Sequence, residues 1–332
     1  MKRLAALVLA LVALLPAPLL ADSARKMPLS YNVATFGGPG RDYTTLQAWE
    51  DATDNDLVAA GKGEVLLCYP DSAAYAQRVT ISGAVTNASY FRVIRAAPGF
   101  ERQVVLDYNG VLGSYDGTVL VTNENHVGLY DLSIRHHIST SASVNTKDIF
   151  IQGNTAGACR VVGCRLGPSV NTGSDMASAG QVYGDGRLVV ADSVVAAYPE
   201  GYGIIQNNGQ LYVLSSVFYG VNQTALYSQA ATSIAVNCVL QGNGANFYGA
   251  AWLITTCKTD GTVSFVNAAA GDFHLSDTDA SAKDHGTDLS SDAIFPFSDD
   301  MDGDLRPQGA AWDIGADEWK PGTAGMVTIP LF

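Results

Sequence analysis

Three carboxylates alternate with Met301 and Gly303 in Asp300-Met-Asp-Gly-Asp304, and Arg306, Asp313 and Asp317 follow closely. Oxygen ligands at alternate positions of one loop are a common way to grip Ca²⁺, so Asp300, Asp302 and Asp304 are candidate metal ligands. The loop is not an EF-hand, because Gly stands at its fourth position rather than its sixth and no Glu occupies the twelfth. The same residues also suit a metal-free clasp, in which Arg306 pairs with Asp313 or Asp317 and ties down the chain end. The clasp is the preferred reading. The adjacent pair His136-His137 could serve acid–base chemistry, but two solvated loop histidines explain the pair as well.

The residues that must position such groups belong to a repeated phrase: apolar, two residues, a small or thiol residue, one residue, apolar. Its copies are Leu129-Tyr-Asp-Leu-Ser-Ile134, Val161-Val-Gly-Cys-Arg-Leu166, Val190-Ala-Asp-Ser-Val-Val195, Val213-Leu-Ser-Ser-Val-Phe218, Ala235-Val-Asn-Cys-Val-Leu240 and, weakly, Ile254-Thr-Thr-Cys-Lys-Thr259. The fourth position advances by 32, 29, 23, 22 and 19 residues. Each copy is too short for a helix and rich in β-branched residues, so it reads as a bent strand, and this period suits a stacked solenoid. Stacked coils predict one inward column of Leu129, Val161, Val190, Val213 and Ala235. They predict a second of Leu132, Cys164, Ser193, Ser216, Cys238 and Cys257. Asp131 and Asp192 share a repeat position two coils apart, about 9.6 Å if the rise is regular, at the limit for a pair of glycosidase carboxylates.

The long steps leave surplus residues at 135–145 and 167–185, expected to emerge side by side as loops. They would form a recognition surface containing His136, His137, Asn145, Asn171, Asp175, Tyr183 and Asp185, although tolerated surface insertions have the same look. Upstream, Asp42-Tyr-Thr-Thr-Leu-Gln-Ala-Trp-Glu50 predicts a short capped helix with Leu46 and Trp49 on one face, closing the N-terminal end of the stack.

Residues 1–21 pair a basic start with an apolar run and a small-residue end, as in a cleaved secretory leader, with cleavage after Ala21 or, alternatively, Ala24. The expected location is therefore secreted or cell-envelope, with no membrane span after cleavage. The formal charge of −13 disfavours nucleic acid and anionic surfaces, leaving neutral glycans, cations or basic protein surfaces as partners. Five cysteines without a Cys-x-x-Cys or a zinc spacing argue against a structural zinc site. Cys238 and Cys257 fall one coil apart in one column, where either a disulfide or a ladder of free thiols fits.

The phrase resembles the repeat of right-handed, pectate-lyase-like parallel β-helix proteins. The later series Asp272-Phe-His-Leu275, Asp284-His-Gly286, Asp302-Gly-Asp-Leu-Arg-Pro307 and Asp313-Ile-Gly-Ala-Asp-Glu318 resembles the C-terminal module of exported β-helix proteins of the choice-of-anchor Q type. Together the resemblances imply an all-β, right-handed single-stranded parallel β-helix solenoid with a short N-terminal capping helix. Its parts would be a leader at 1–21, the β-helix at 22–264, a module at 265–319 closing the last coil, and a tail at 320–332. The Asn-Thr-Asp, Gly-His-Gly and Arg-Ile-Lys phrases of polygalacturonase-like enzymes do not occur. The expected function is a non-catalytic scaffold or adhesin-like protein that binds an extracellular glycan or cell-surface component through the loops, without a required cofactor. A polysaccharide lyase or glycoside hydrolase is the alternative.

Overall fold

A computed structural model describes residues 26–110, 116–138, 146–153, 157–168, 170–171, 180–196, 201–292 and 295–320. Parallel strands stack in coils with three faces. The first face runs through Tyr31–Phe36, Gly63–Cys68, Arg92–Ala96, Val127–Tyr130 and Ala158–Val162, and the second through Val105–Tyr108, Ser133–Ile138, Arg165–Leu166, Val194–Ala196, Val217–Tyr219 and Val239–Gln241. Val79–Ser82, Asp116–Thr122 and Thr146–Gln152 begin the third. In the later coils the long strands Gly180–Ala191, Tyr202–Leu214, Thr224–Val236 and Ala245–Thr255 bend through both third and first faces. The fold is a parallel β-helix.

The repeated phrase is the corner between first and second faces. Its third residue adopts the left-handed region in every copy: Asp131, Gly163, Asp192, Ser215, Asn237 and Thr256 have φ between 41° and 65°. One left-handed residue turns the chain and resets the strand alternation, which is why inward positions are three apart across the corner and two apart beyond it. Asp, Asn and Gly tolerate this conformation best; Ser215 and Thr256 adopt it because neighbouring coils hold them, Ser215 N–H donating to Val236 O at 2.9 Å.

Both predicted columns are present. Leu129, Val161, Val190, Val213 and Ala235 pair in consecutive register within the inner core, and the column extends back to Ile94 and Leu66. In the corner column Ser193 Oγ donates to Ala191 O at 2.8 Å and accepts from Cys164 N–H at 3.2 Å, while Ser216 Oγ donates to Leu214 O at 2.8 Å and accepts from Ser193 N–H at 3.2 Å. Cys238 and Cys257 occupy the same rungs as free thiols, the Cys238 N–H pointing at Cys257 Sγ at 3.4 Å. A hydrogen bond from the Cys238 thiol, with this N–H as a lesser contribution, lowers the Cys257 thiol pKa, and burial pushes Cys238 up. Alkylation of the native protein should therefore mark half-buried Cys257 first, and unfolding without reductant should make all five thiols reactive. A disulfide would leave two of them unlabelled in the mass spectrum.

The N-terminal end is closed as expected, by helix α1 (Leu46–Ala52). Thr45 caps it by accepting from Ala48 N–H, and Leu46 and Trp49 are fully buried. Its polar side chains stand in for a missing strand against Val79–Ser82: Gln47 Oε1 accepts from Thr80 N–H and Glu50 Oε1 from Ser82 N–H, both at 2.9 Å. Such pairing blunts an otherwise open sheet edge. A second short helix, α2 (Leu57–Ala60), follows.

The C-terminal segment departs from expectation. Among the described residues it runs lengthwise along the outside of the corner, touching Thr256 of the last copy through Thr287 and reaching back over earlier coils. Leu289, Phe295, Phe297 and Trp312 pack on outward residues of the first face, among them Val93, Tyr130, Val189 and Tyr212. Phe273, Leu275, Met301, Ile314 and Ala316 pack on Val194, Val217 and Val239 of the second. The reason lies in the strands: parallel sheets carry apolar residues on both faces and need both covered. Among the described residues, Ala245–Thr255 ends the path of the large sheet, with Tyr248 and Ile254 exposed.

Candidate functional site

Carboxylates hold this irregular outer segment by capping its backbone amides, which accounts for its many Asp residues where the described residues form only two short strands and one 3₁₀ turn. Asp300 accepts from Asp302 N–H and Asp304 N–H at 2.8 Å and from Glu318 N–H at 3.0 Å. Asp313 accepts from Asp284 N–H at 2.6 Å and Trp319 N–H at 2.7 Å. The three alternating Asp residues do not converge on one point. Asp300 is turned into the segment, Asp302 pairs with Arg102 and His274, and Asp304 pairs with Lys320. The expected partners of Arg306 are corrected as well. Its guanidinium pairs with Glu318 at 3.2 Å and with Asp192 of the coil corner at 3.4 Å, and it donates to the backbone oxygens of Asp313, Gly315 and Ala316. Asp313 and Asp317 instead use their carboxylates on backbone amides.

Asp131 and Asp192 flank no groove. Both are buried corner residues, Asp131 paired with Arg95 at 3.0 Å and Asp192 with Arg306. His136 is likewise interior: alternation in Ser133–Ile138 sends Ile134 and His136 the same way, and the His136 ring meets buried Asp148 at 2.6 Å. Lys147, which precedes Asp148 in the strand, is fully buried, which pushes its pKa down to about 7. Where they are described, the surplus segments are strand: Val170 pairs with His137 and Asn171 with Ile138, and 180–185 belongs to Gly180–Ala191. Asn145 and Asp175 lie outside the described residues, as do the side chains of His137 and Asn171.

Tyr183 and Asp185 remain, and the third face brings them to the surface. Inward Ile149, Val182, Ile204 and Leu226 fill the core, so the residue after each points outward. In-register pairing aligns Leu120, Phe150, Tyr183, Ile205, Tyr227 and Tyr248 in one outer column. Phe150 and Tyr183 stack with centroids 4.5 Å apart, as do Tyr227 and Tyr248 at 5.4 Å, while Tyr202 leans on Tyr227 at 5.5 Å. The last ring, Tyr248, is 62% exposed and carries no stacked neighbour on its far side among the described residues. Beside the column, at the bulge after Gly184, Asp185 accepts from Asn207 Nδ2 at 3.0 Å and Asn208 Nδ2 at 3.2 Å. Aromatic faces and phenol hydroxyls next to planar amides and a carboxylate can stack on apolar ring faces and bond hydroxyl groups.

Tyr227, Tyr248, Asn207 and Asn208 escaped the reading of the sequence, although a signal exists. Val182-Tyr-Gly184, Leu226-Tyr-Ser228 and Phe247-Tyr-Gly249 repeat an inward apolar residue, an outward Tyr and a small residue. His274, the variable position of the Asp-Phe-x-Leu phrase, also escaped it. No family model, curated protein or solved structure matches this chain.

Proposed function

We propose that this protein is an exported, non-catalytic β-helix scaffold that binds a neutral glycan along its third face. The carrying observation is the outer column of Tyr183, Tyr227 and Tyr248 with Asp185, Asn207 and Asn208 alongside. Coils that advance by about 4.8 Å offer an extended polymer evenly spaced contacts, and a chain of net charge −13 favours an uncharged ligand over a polyanion. The leader-like residues 1–21 support export. The phrases at 265–319 support kinship with β-helix proteins of the choice-of-anchor Q type, on a pectate-lyase-like repeat.

The test is a glycan array followed by affinity electrophoresis in the polysaccharide that scores. Tyr248→Ala and Tyr227→Ala, singly, should each weaken retention roughly tenfold, the scale of one aromatic contact of about 1–1.5 kcal/mol. The melting temperature should stay within a few degrees for Tyr248→Ala, whose side chain is mostly in solvent. Retention unchanged in both variants would remove the third face as the binding site. Release of shortened or unsaturated sugars from the bound polymer would replace the scaffold reading with an enzyme.

A further inference from the structure

Where the outer segment crosses the second face, three of its stretches bring together one imidazole and two carboxylates. A ring nitrogen of His274 and one oxygen each of Asp302 and Asp317 lie within 4.8 Å of one another. The geometry is directional. His274 Nδ1 meets Asp272 Oδ1 at 2.5 Å, which leaves Nε2 facing Asp302 Oδ2 at 2.8 Å. Arg102 holds the other oxygen of Asp302, so Oδ2 is turned towards the histidine. Asp317 is only 6% exposed; its Oδ2 accepts from Leu275 N–H at 2.8 Å, and no donor among the described residues reaches its other oxygen.

We infer that His274 Nε2, Asp302 Oδ2 and a carboxylate oxygen of Asp317 form a binding site for a divalent transition ion of the Zn²⁺ class. A histidine whose second nitrogen is fixed by a carboxylate is the usual arrangement of a metal-ligating imidazole. One nitrogen with two oxygens suits Zn²⁺ or its first-row neighbours. Ca²⁺, which takes six to eight oxygens, finds too few here. The His274 and Asp302 side chains are 41% and 27% exposed, which gives the ion an entry path and leaves open positions for water. On binding, the Nε2 proton shared between His274 and Asp302 leaves to solvent, and the ion takes its place between the same two atoms. A resident ion would cross-link Asp272–Leu275 to both acidic loops. Asp272, which touches no ion, is a positioning residue.

The full chain, stripped with chelator and dialysed, should take up one equivalent of Zn²⁺ by calorimetry, and Co²⁺ should give visible absorption of a low-coordinate centre. Ca²⁺ should give no heat at the same concentrations. Zn²⁺ should raise the melting temperature, since a ligand of the folded state stabilises it. His274→Gln and Asp317→Asn should abolish uptake, and Asp272→Asn should weaken it by about 10- to 100-fold. Circular dichroism checks that each variant is folded. If a variant unfolds, the Co²⁺ spectrum of the parent still decides, because imidazole and carboxylate ligation differ from thiolate. The inference fails if the parent binds no stoichiometric Zn²⁺. It fails equally if folded His274→Gln and Asp317→Asn bind as the parent does, or if alkylating the cysteines removes the binding.

Discussion

Replacing Arg306 with methionine is expected to detach the outer segment from the coil stack at a cost of about 3–5 kcal/mol, the range for breaking a buried ion pair on one side only. The guanidinium is fully buried, and it faces two carboxylates, Glu318 and Asp192, whose side chains are fully buried too. Four backbone oxygens, those of Asp299, Asp313, Gly315 and Ala316, lose this donor as well. Burial already holds the Glu318 pKa above its ordinary value, so removing the nearby cation leaves it still less able to stay charged. Trp312 and Trp319 report on this segment directly: urea unfolding followed by tryptophan fluorescence should show an early transition in Arg306→Met, before the loss of strand signal in circular dichroism. Amides of Gly315 and Ile314, which donate to Asn237 O and Ala282 O, should exchange faster. A single transition at the parental midpoint would mean that the apolar contacts of Phe273, Phe295 and Trp312 hold the segment without the clasp.

The second large effect is expected at Val213. It sits midway along the inner column, fully buried between Val190 and Ala235, with no polar group of its own to satisfy a charge. Val213→Asp places a carboxyl where ionisation is prohibitively costly and even the neutral form lacks partners, a penalty of several kcal/mol. In a solenoid each coil depends on its neighbours, so the damage should spread to the adjoining coils and yield insoluble or protease-sensitive protein. Val213→Ala removes only two carbon groups and should cost about 1–2 kcal/mol with the fold intact. A soluble Val213→Asp with parental melting and proteolysis would show that this column does not face inward.

The coil and its register were legible from the sequence because inward burial repeats at fixed internal spacing. The phrase from Leu129 to Ile134 recurs wherever a left-handed corner resets the alternation, and only a few residue types satisfy both core and corner. The capping helix was legible for a related reason, since Thr45, Leu46 and Trp49 encode its cap and its buried face locally. The earliest coils were less regular in sequence because their corners are longer turns, after Cys68 and after Ala96, which leaves Leu66 and Ile94 in the column without the phrase.

What the sequence could not fix was the placement of groups that share no local period. Surplus residues after the corner read as loops, yet parallel pairing with neighbouring coils draws 135–138, 170–171 and 180–185 into strand, carrying His136 inward and Tyr183 outward. The acidic loop read as a cradle or a clasp, but which carboxylate meets Arg306 depends on how the segment lies across coils more than a hundred residues earlier, as with Asp192. That route is set by apolar burial on the outer faces, a force without direction. Only after it has placed the chain do hydrogen bonds and ion pairs, which act over a few ångströms, choose their partners. So local pattern determined the coil, its core and its cap, and tertiary packing alone decided that Tyr183 joins the outer column that ends at exposed Tyr248 and that His274 meets Asp302 and Asp317.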